Sequence, residues 1–111
     1  MANIDNLKSD YLCSIYRDDP ILSGLIKAFL NKIPIRVAEL RACYEQADFR
    51  KLNQTAHSLK GALQGYGFLI LAENVTLIEM GSNNLIDLKA LDKRIKNLES
   101  LVRELQDREK T

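Results

Sequence analysis

The single histidine of the chain, His57, lies in a stretch whose residue types could support chemistry on an imidazole ring. If the stretch is helical, Lys60 and Gly61 stand beside His57 and Asn53 lies one turn before it, because residues three and four positions apart share a helix face. Lysine offers a positive charge to an anion held at the ring. A glycine inside a helix costs about 1 kcal/mol relative to alanine. Its presence suggests that something approaches the imidazole closely.

These residues also have an ordinary interpretation. A lone surface histidine near a lysine is common, and a mid-helix glycine can equally permit close packing of a neighbouring helix. Gln64, one turn beyond Lys60, is either a hydrogen-bond donor to a bound anion or a polar surface residue. Composition alone does not separate the two interpretations, so the elements that carry these residues have to be considered.

Apolar residues recur along the chain at helical spacing, and no Asn-Gly or Asp-Gly hairpin turn interrupts them. Asp19 followed by Pro20 is typical of a helix start. The stripe keeps its phase beyond Pro34, so we expect one long helix that is kinked between Leu30 and Pro34. Its predicted inward stripe is Leu22, Ile26, Phe29, Ile33, Val37, Leu40 and Tyr44. A short N-terminal helix is expected from Leu7, Tyr11, Leu12 and Ile15.

Three further helices complete the prediction. Asp48 is the expected N-cap of the helix that carries His57, and this helix ends in the glycine-rich turn at 64–67. The next helix starts near Phe68 and stops near Gly81, and the last starts near Asp87. Their inward stripes are Leu52, Ala56, Leu59 and Leu63; Leu71, Val75 and Ile78; and Leu88, Leu91, Ile95, Leu98, Val102 and Leu105. Short connections predict an all-α antiparallel four-helix bundle (up-down-up-down) with the short additional N-terminal helix.

Composition sets further bounds on the chain. Its 111 residues predict a single domain over 1–111, with a core at about 18–108, and 46% hydrophobic residues exclude disorder. Sixteen basic and fifteen acidic residues leave a net charge of +1, which argues against nucleic acid as a partner. Cys13 and Cys43 form no CxxC motif and indicate ordinary thiols in a reducing compartment. The polar start and the lack of a long uncharged run predict a soluble, cytoplasmic protein without a membrane segment.

The string AHSLKGALQGYGF, residues 56–68, resembles the signature of histidine-containing phosphotransfer (HPt) domains, a histidine followed by x-[Leu/Ile]-Lys-Gly and then by a glycine and an apolar residue. Residues 18–40, including the internal proline, are similar to the family's preceding helix, and residues 47–61 to the run into its active helix. The resemblance covers most of 18–81. It implies a four-helix bundle with an exposed phosphoryl-accepting histidine, here His57.

Glu79 is a candidate partner of the imidazole. His57 precedes Phe68 by eleven positions and Glu79 follows it by eleven, so in an antiparallel hairpin the two residues lie level. Helix rotation is not determined by the sequence, and a solvated glutamate is the alternative. In the family this position is typically Gln or Glu and hydrogen-bonds the imidazole, which implies that Glu79 fixes the tautomer that leaves Nε2 as the nucleophile.

The resemblance implies a phosphoryl carrier rather than an enzyme. His57 would accept a phosphoryl group from a receiver-domain aspartate and pass it to another receiver. Lys60 would offset the negative charge, and Gly61 would leave room for the group and the docking receiver. Gln64 and Asn53 would contact the phosphoryl group or the partner, although the family often has a small residue at the position of Gln64. No nucleotide motif or carboxylate cluster is present, so no cofactor or metal is expected, and the receiver would supply magnesium and most of the catalysis.

The implied partners are receiver domains, of a hybrid histidine kinase and of a downstream regulator, and we expect the protein to act as a monomer. Ile15, Leu22 and Leu25 are the candidate docking residues. An HPt-like module that binds a partner without phosphotransfer remains the main alternative. A helical hydrolase using His57 as a general base lacks an obvious Ser or Cys nucleophile, and a dimeric kinase would need a longer chain. The pathway, the direction of phosphoryl flow, and whether the chain is free-standing or part of a hybrid kinase are left open.

Overall fold

Five α-helices make up most of the computed structural model, which describes residues 12–83 and 87–110. The helices are α1 (Ser23–Leu30), α2 (Ile33–Glu45), α3 (Phe49–Gly65), α4 (Leu69–Asn83) and α5 (Leu88–Lys110). The described residues contain no β-strand. The all-α prediction is therefore confirmed.

The four longer helices form the bundle. Helix α3 packs against α2 and α4, and α5 packs against α4 and α2, so each helix has two neighbours in a closed ring. Only residues 66–68 separate α3 from α4, which makes the two helices antiparallel. The predicted four-helix bundle is confirmed, and its most deeply buried large side chains are Ile33, Leu40, Leu52, Leu59, Leu63, Phe68, Leu71, Val75, Ile78, Ile95, Leu98 and Leu105.

The predicted single kinked helix is instead two helices, α1 and α2, and this part of the prediction is wrong. Pro34 has no N–H for the carbonyl of Leu30, and its ring crowds that carbonyl, so the α-helical ladder cannot continue through this turn. At the break the N–H of Lys32 bonds the carbonyl of Phe29, three residues earlier, at 2.9 Å, as in a 3₁₀ turn. The stripe still keeps its phase across the break, since Phe29 and Ile33 are both buried.

Asp19 caps the entry to α1, although α1 begins four residues after it. One oxygen of its carboxylate accepts the N–H groups of Ile21 at 2.8 Å and Leu22 at 3.0 Å. Its carbonyl accepts the N–H of Ser23 at 2.9 Å. The helix therefore starts later than predicted, with Leu22 at its N-cap, and Asp19 caps the turn that leads into it.

The segment before α1 is held by the α3–α4 turn. Ser14 is buried, and its hydroxyl donates to the carbonyl of Tyr66 at 2.5 Å, while the N–H of Ile15 bonds the carbonyl of Gly67 at 3.0 Å. Residues 12–22 accordingly form turns and bends. Leu12 and Ile15 were predicted to be helical, and this part of the prediction is wrong. The other two residues of that predicted helix, Leu7 and Tyr11, lie outside the described residues.

The α3–α4 turn requires glycine at Gly67, as its sequence predicted. The N–H of Phe68 bonds the carbonyl of Leu63 at 2.8 Å and that of Gly67 bonds Gln64 at 3.1 Å, which is the Schellman arrangement. Gly67 has φ 82°, and a Cβ there would lie 2.7 Å from the ring of Tyr16. The turn thus fixes both the hairpin and the position of the N-terminal segment.

The predicted cap at Asp48 is confirmed, and Asp87, predicted only as the start of the last helix, caps that helix. The carboxylate of Asp48 accepts the N–H of Lys51 at 3.2 Å at the start of α3, and that of Asp87 accepts the N–H of Ala90 at 3.0 Å at the start of α5. Among the described residues, the helices are too short or too polar to cross a membrane.

Candidate functional site

His57 lies on the outward side of α3. The inward stripe of this helix, Leu52, Ala56, Leu59 and Leu63, is at most 1% exposed. The histidine lies well off that stripe, and its side chain is 70% exposed. The imidazole is therefore open to a second molecule.

Glu79 of α4 meets the imidazole from the neighbouring helix. Its Oε2 lies 2.6 Å from Nδ1 of His57, and its side chain is only 15% exposed. The rotation of α4, which the sequence left open, therefore turns this carboxylate toward α3 rather than into solvent.

Lys60 binds the same carboxylate. Its Nζ donates to Oε1 of Glu79 at 2.8 Å, so each carboxylate oxygen has one partner. The hydrogen bond from Lys60 is the main cause that lowers the pKa of Glu79, the bond from His57 adds to it, and burial opposes both. Since the carboxylate is ionised at neutral pH, Nδ1 of His57 donates to it, and in the neutral ring Nε2 carries the free lone pair.

Asn53 joins α3 to α4 one turn below this pair. Its Nδ2 lies 3.1 Å from the carbonyl oxygen of Glu79, 3.0 Å from Oγ of Ser82 and 3.1 Å from Oδ1 of Asn83. The hydroxyl of Ser82, which is 6% exposed, donates to the same carbonyl of Glu79 at 2.7 Å. The sequence analysis singled out Asn53 but missed Ser82 and Asn83. Their positions three and four after Glu79 were the signal that could have indicated them.

Gly61 is exposed, and its surroundings exclude one of its two explanations. A Cβ built at Gly61 has no described atom within 4 Å, so the glycine does not serve to bring a neighbouring helix close. Its φ is not positive either, because Gly67 is the glycine with positive φ in the described chain. Gln64 is likewise exposed one turn further on. The surface beside the imidazole is therefore exposed to solvent, and no side chain projects from it at Gly61.

A second cation lies on the other side of α3. Nη2 of Arg36 in α2 donates to Oγ of Ser58, the residue after His57, at 3.0 Å. The sequence analysis did not single out Arg36, since its contact with α3 depends on how α2 packs. Lys60 thus binds the carboxylate partner of the imidazole on the α4 side, and Arg36 binds the residue after His57 on the α2 side.

The three predicted docking residues differ in exposure. Ile15 is 58% exposed and Leu25 is 56% exposed, whereas Leu22 is partly buried against the core. Ile21, which the sequence analysis missed, is 84% exposed. Exposed apolar side chains are therefore available in the segment before α1 and on α1 itself.

Within residues 12–83 and 87–110, no group of three or more His, Cys, Asp or Glu side chains could hold a metal ion. The arrangement around His57 instead has one nucleophilic nitrogen, one largely covered carboxylate and the ammonium group of Lys60. Such a set can orient an imidazole and receive an anionic group.

Comparison with protein families gives a match to the Hpt domain over residues 24–108. The chain belongs to the Hpt domain family. Comparisons with curated proteins and with solved structures gave no match. Hpt domains carry phosphoryl groups on histidine in two-component phosphorelays and interact with the receiver domains of response regulators. An Hpt domain is a phosphotransfer carrier rather than a classical enzyme.

Proposed function

We propose that this Hpt domain accepts a phosphoryl group on Nε2 of His57 from the aspartate of one receiver domain and passes it to another receiver. The observation that carries the proposal is the 2.6 Å contact between Nδ1 of His57 and Glu79 on a ring that is 70% exposed. One nitrogen is held by the protein, and the other is available to a partner. His57 is also the single histidine of the chain.

The transfer can be written with the groups at this site. The lone pair of Nε2 attacks the phosphorus of the receiver's acyl phosphate, the N–P bond forms, and the P–O bond to the aspartate breaks so that the carboxylate leaves. The ring becomes positive during attack, and the ionised carboxylate of Glu79 at Nδ1 stabilises that charge. Transfer onward is the reverse reaction with the aspartate of a second receiver as the nucleophile.

Lys60, Gly61 and Gln64 would act around the phosphoryl group. Lys60 lies on the side of α3 where the group's negative charge would be offset, and its side chain is 23% exposed. Gly61 leaves the space in which the group and a receiver loop would be accommodated. Gln64 would hydrogen-bond the phosphoryl oxygens or the partner. The receiver would supply magnesium and the remaining catalytic groups, so this chain would need no cofactor of its own.

The distribution of charge supports docking at this face. Residues 20–38 and 49–72 contain six basic residues and no acidic one, although the whole chain has a net charge of only +1. These segments include α1, the start of α2, and α3 with His57. Their excess of positive charge would speed association with an acidic partner, such as the aspartate-bearing site of a receiver. Ile15 and Leu25, together with the partly buried Leu22, would supply its apolar contacts.

We further propose that the chain acts as a single domain over 1–111 and as a monomer in the cytoplasm. The family match spans α1 to α5, and residues 12–22 are bonded to the α3–α4 turn rather than separate from the bundle. The partners would be the receiver of a hybrid histidine kinase and that of a downstream regulator.

The test is uptake of label from isolated receiver domains that carry ³²P on their aspartate. Wild-type protein should gain a phosphoryl group that is labile in acid and stable in alkali, whereas His57→Gln should gain none. Phosphoramidate, a small phosphoryl donor that needs no docking surface, should label wild type at the same residue.

Three outcomes have different meanings. Labelling by phosphoramidate but by none of a panel of receivers would favour the docking-only module. No labelling by either donor, or equal labelling of His57→Gln, would refute phosphotransfer on His57. The variant's helical circular dichroism should match that of wild type, since the ring is exposed.

A further inference from the structure

We propose that Asn53 is a positioning residue, which together with Ser82 fixes the rotation of α4 so that Glu79 meets His57. The inference rests on the proposed function of His57 for its effect on phosphotransfer, but its geometric content can be tested without any transfer. It also replaces the expectation that Asn53 contacts the phosphoryl group.

The orientation of the Asn53 amide follows from its partners. The carbonyl oxygen of Glu79 can only accept, so the amide nitrogen must face it. The two N–H groups are shared among three acceptors on α4, which are that carbonyl, Oγ of Ser82 and Oδ1 of Asn83. All three lie on one helix within a single turn. The amide donors are therefore committed to α4, and none points to the position of a phosphoryl group at Nε2.

The hydrogen bond from Asn53 restrains the backbone of α4, which the bonds from His57 and Lys60 to Glu79 do not. His57 and Lys60 both bind the carboxylate of Glu79, so their bonds hold the end of a flexible side chain and not the backbone of α4. Asn53 instead binds the backbone carbonyl of the same residue. It holds the helix itself, so it sets the point from which the carboxylate extends.

The contact between Glu79 and His57 tolerates little rotation of α4. A rotation of α4 by about 20° would move a carboxylate about 5–6 Å from the helix axis by about 2 Å. Such a shift would break the 2.6 Å contact with Nδ1 of His57. Ser82 stiffens the arrangement because its buried hydroxyl accepts from Asn53 and donates to the carbonyl of Glu79.

The first test measures the tautomer of His57 in the unphosphorylated protein by long-range ¹⁵N–¹H NMR at neutral pH. Wild type should hold the proton mainly on Nδ1. Asn53→Ala should shift the population toward the Nε2–H form, and Ser82→Ala should do so to a smaller extent. Gln54→Ala is the matched control, since it removes an exposed amide from the adjacent position of α3 and should leave the tautomer unchanged.

The second test is a double-mutant cycle on the rate of phosphoryl uptake. Asn53→Ala should slow uptake by about tenfold in the wild-type background, because the carboxylate is misplaced. In a Glu79→Ala background the same substitution should have no further effect, since the group that it positions is gone.

The outcomes separate this inference from the proposed function. An unchanged tautomer in Asn53→Ala, or an equal tenfold loss with and without Glu79, would overturn the positioning role. If wild type takes up no phosphoryl group, the proposed function fails while the tautomer experiment still decides the role of Asn53. If thermal unfolding shows that Asn53→Ala does not fold, Ser82→Ala breaks the same arrangement from α4, and an unchanged tautomer there would refute the inference.

Discussion

Two clusters of charged side chains connect neighbouring helices in this bundle. One joins α2 to α5, where Arg41 donates to Asp92 at 2.6 Å and to Glu99 at 2.8 Å and 3.3 Å. The other joins α3 to α4, where Glu79 accepts from His57 and Lys60. Both clusters place one charged group between two partners, and both perturb the ionisation of the central group.

The clusters differ in whether a reactive atom remains exposed to solvent. The side chains of Arg41, Asp92 and Glu99 are each less than 30% exposed, and Lys96 binds Asp92 at 3.0 Å, so two cations match the two carboxylates. The imidazole of His57 is 70% exposed, and its second nitrogen points away from Glu79. Exposure of an unused nucleophilic atom therefore separates the candidate site from a structural contact.

The direction of a pKa shift does not make this distinction. Hydrogen bonds to Glu99 and Asp92, the former larger, raise the pKa of Arg41, although burial opposes them. The bonds from Lys60 and His57 lower the pKa of Glu79. Perturbed ionisation marks both a helix contact and a candidate site, so function has to be argued from geometry.

The largest expected effect is on phosphoryl transfer at the Glu79 cluster. Glu79→Ala should slow uptake by about 10- to 100-fold, because the ring loses the acceptor that fixes its tautomer and stabilises its charge. Glu79→Gln should lose less, since its amide oxygen can still accept from Nδ1. Single-turnover transfer from a phosphorylated receiver measures both, with Glu73→Ala on the exposed side of α4 as the control. A wild-type rate in Glu79→Ala would return Glu79 to a structural role like that of Arg41.

The Arg41 cluster should show the opposite pattern. Arg41→Met should lower the free energy of unfolding by about 1–2 kcal/mol, because two partly covered carboxylates lose their shared partner. Urea denaturation measures this loss, and the exposed Arg103→Met is its control. The folded variant should transfer phosphoryl groups at the wild-type rate. A slowed transfer with unchanged stability would contradict the distinction between the clusters.

Gly61 tests the open side of the Glu79 cluster. Gly61→Ala and Gly61→Leu should each raise helix stability by up to about 1 kcal/mol, since both residues favour a helix over glycine and a Cβ there meets no described atom. Uptake from a receiver should fall with side-chain size, by about tenfold for leucine, because the partner's approach is blocked. Labelling by phosphoramidate should change much less. Equal losses with both donors would place the role of Gly61 in the chemistry rather than in docking.

The sequence contained different amounts of information about the two clusters. His57, Lys60 and Gly61 are close in sequence on one helix, so their shared face followed from helical spacing alone. The level of Glu79 followed from the short hairpin, but its rotation did not, because rotation depends on packing and on bonds such as that of Asn53. Arg41 and its partners are 51 and 58 positions apart, so no local pattern indicated their contact.

The helices themselves were predictable because their signals are local in the sequence. Stripes of apolar residues and the cap at Asp48 are local signals, and the structure bears them out except at Leu88, which is 44% exposed. The break between α1 and α2 was missed because the stripe keeps its phase across Pro34, so periodicity did not reveal the missing hydrogen bond. The segment at 12–22 was misassigned because its bonds go to a distant turn.

The smallest expected effect is that of acid on the free energy of unfolding. It tests whether the fold stabilises Glu79 in its ionised form. The pKa of Glu79 is lowered in the folded protein, so its pairing stabilises the fold above the carboxyl's ordinary pKa of 4.5 and is lost as the pH falls through the folded value. At pH 7, Glu79→Gln should be less stable than wild type by about 1 kcal/mol, because the single amide oxygen of glutamine can accept from only one of the two donors and the ion pair with Lys60 is lost. Urea denaturation at pH 7 and near pH 3 should show this difference shrinking in acid. Glu73→Gln, exposed on the same helix, should show no such trend, whereas an equal Glu79→Gln difference at both pH values would mean that the carboxylate is not held as an ion.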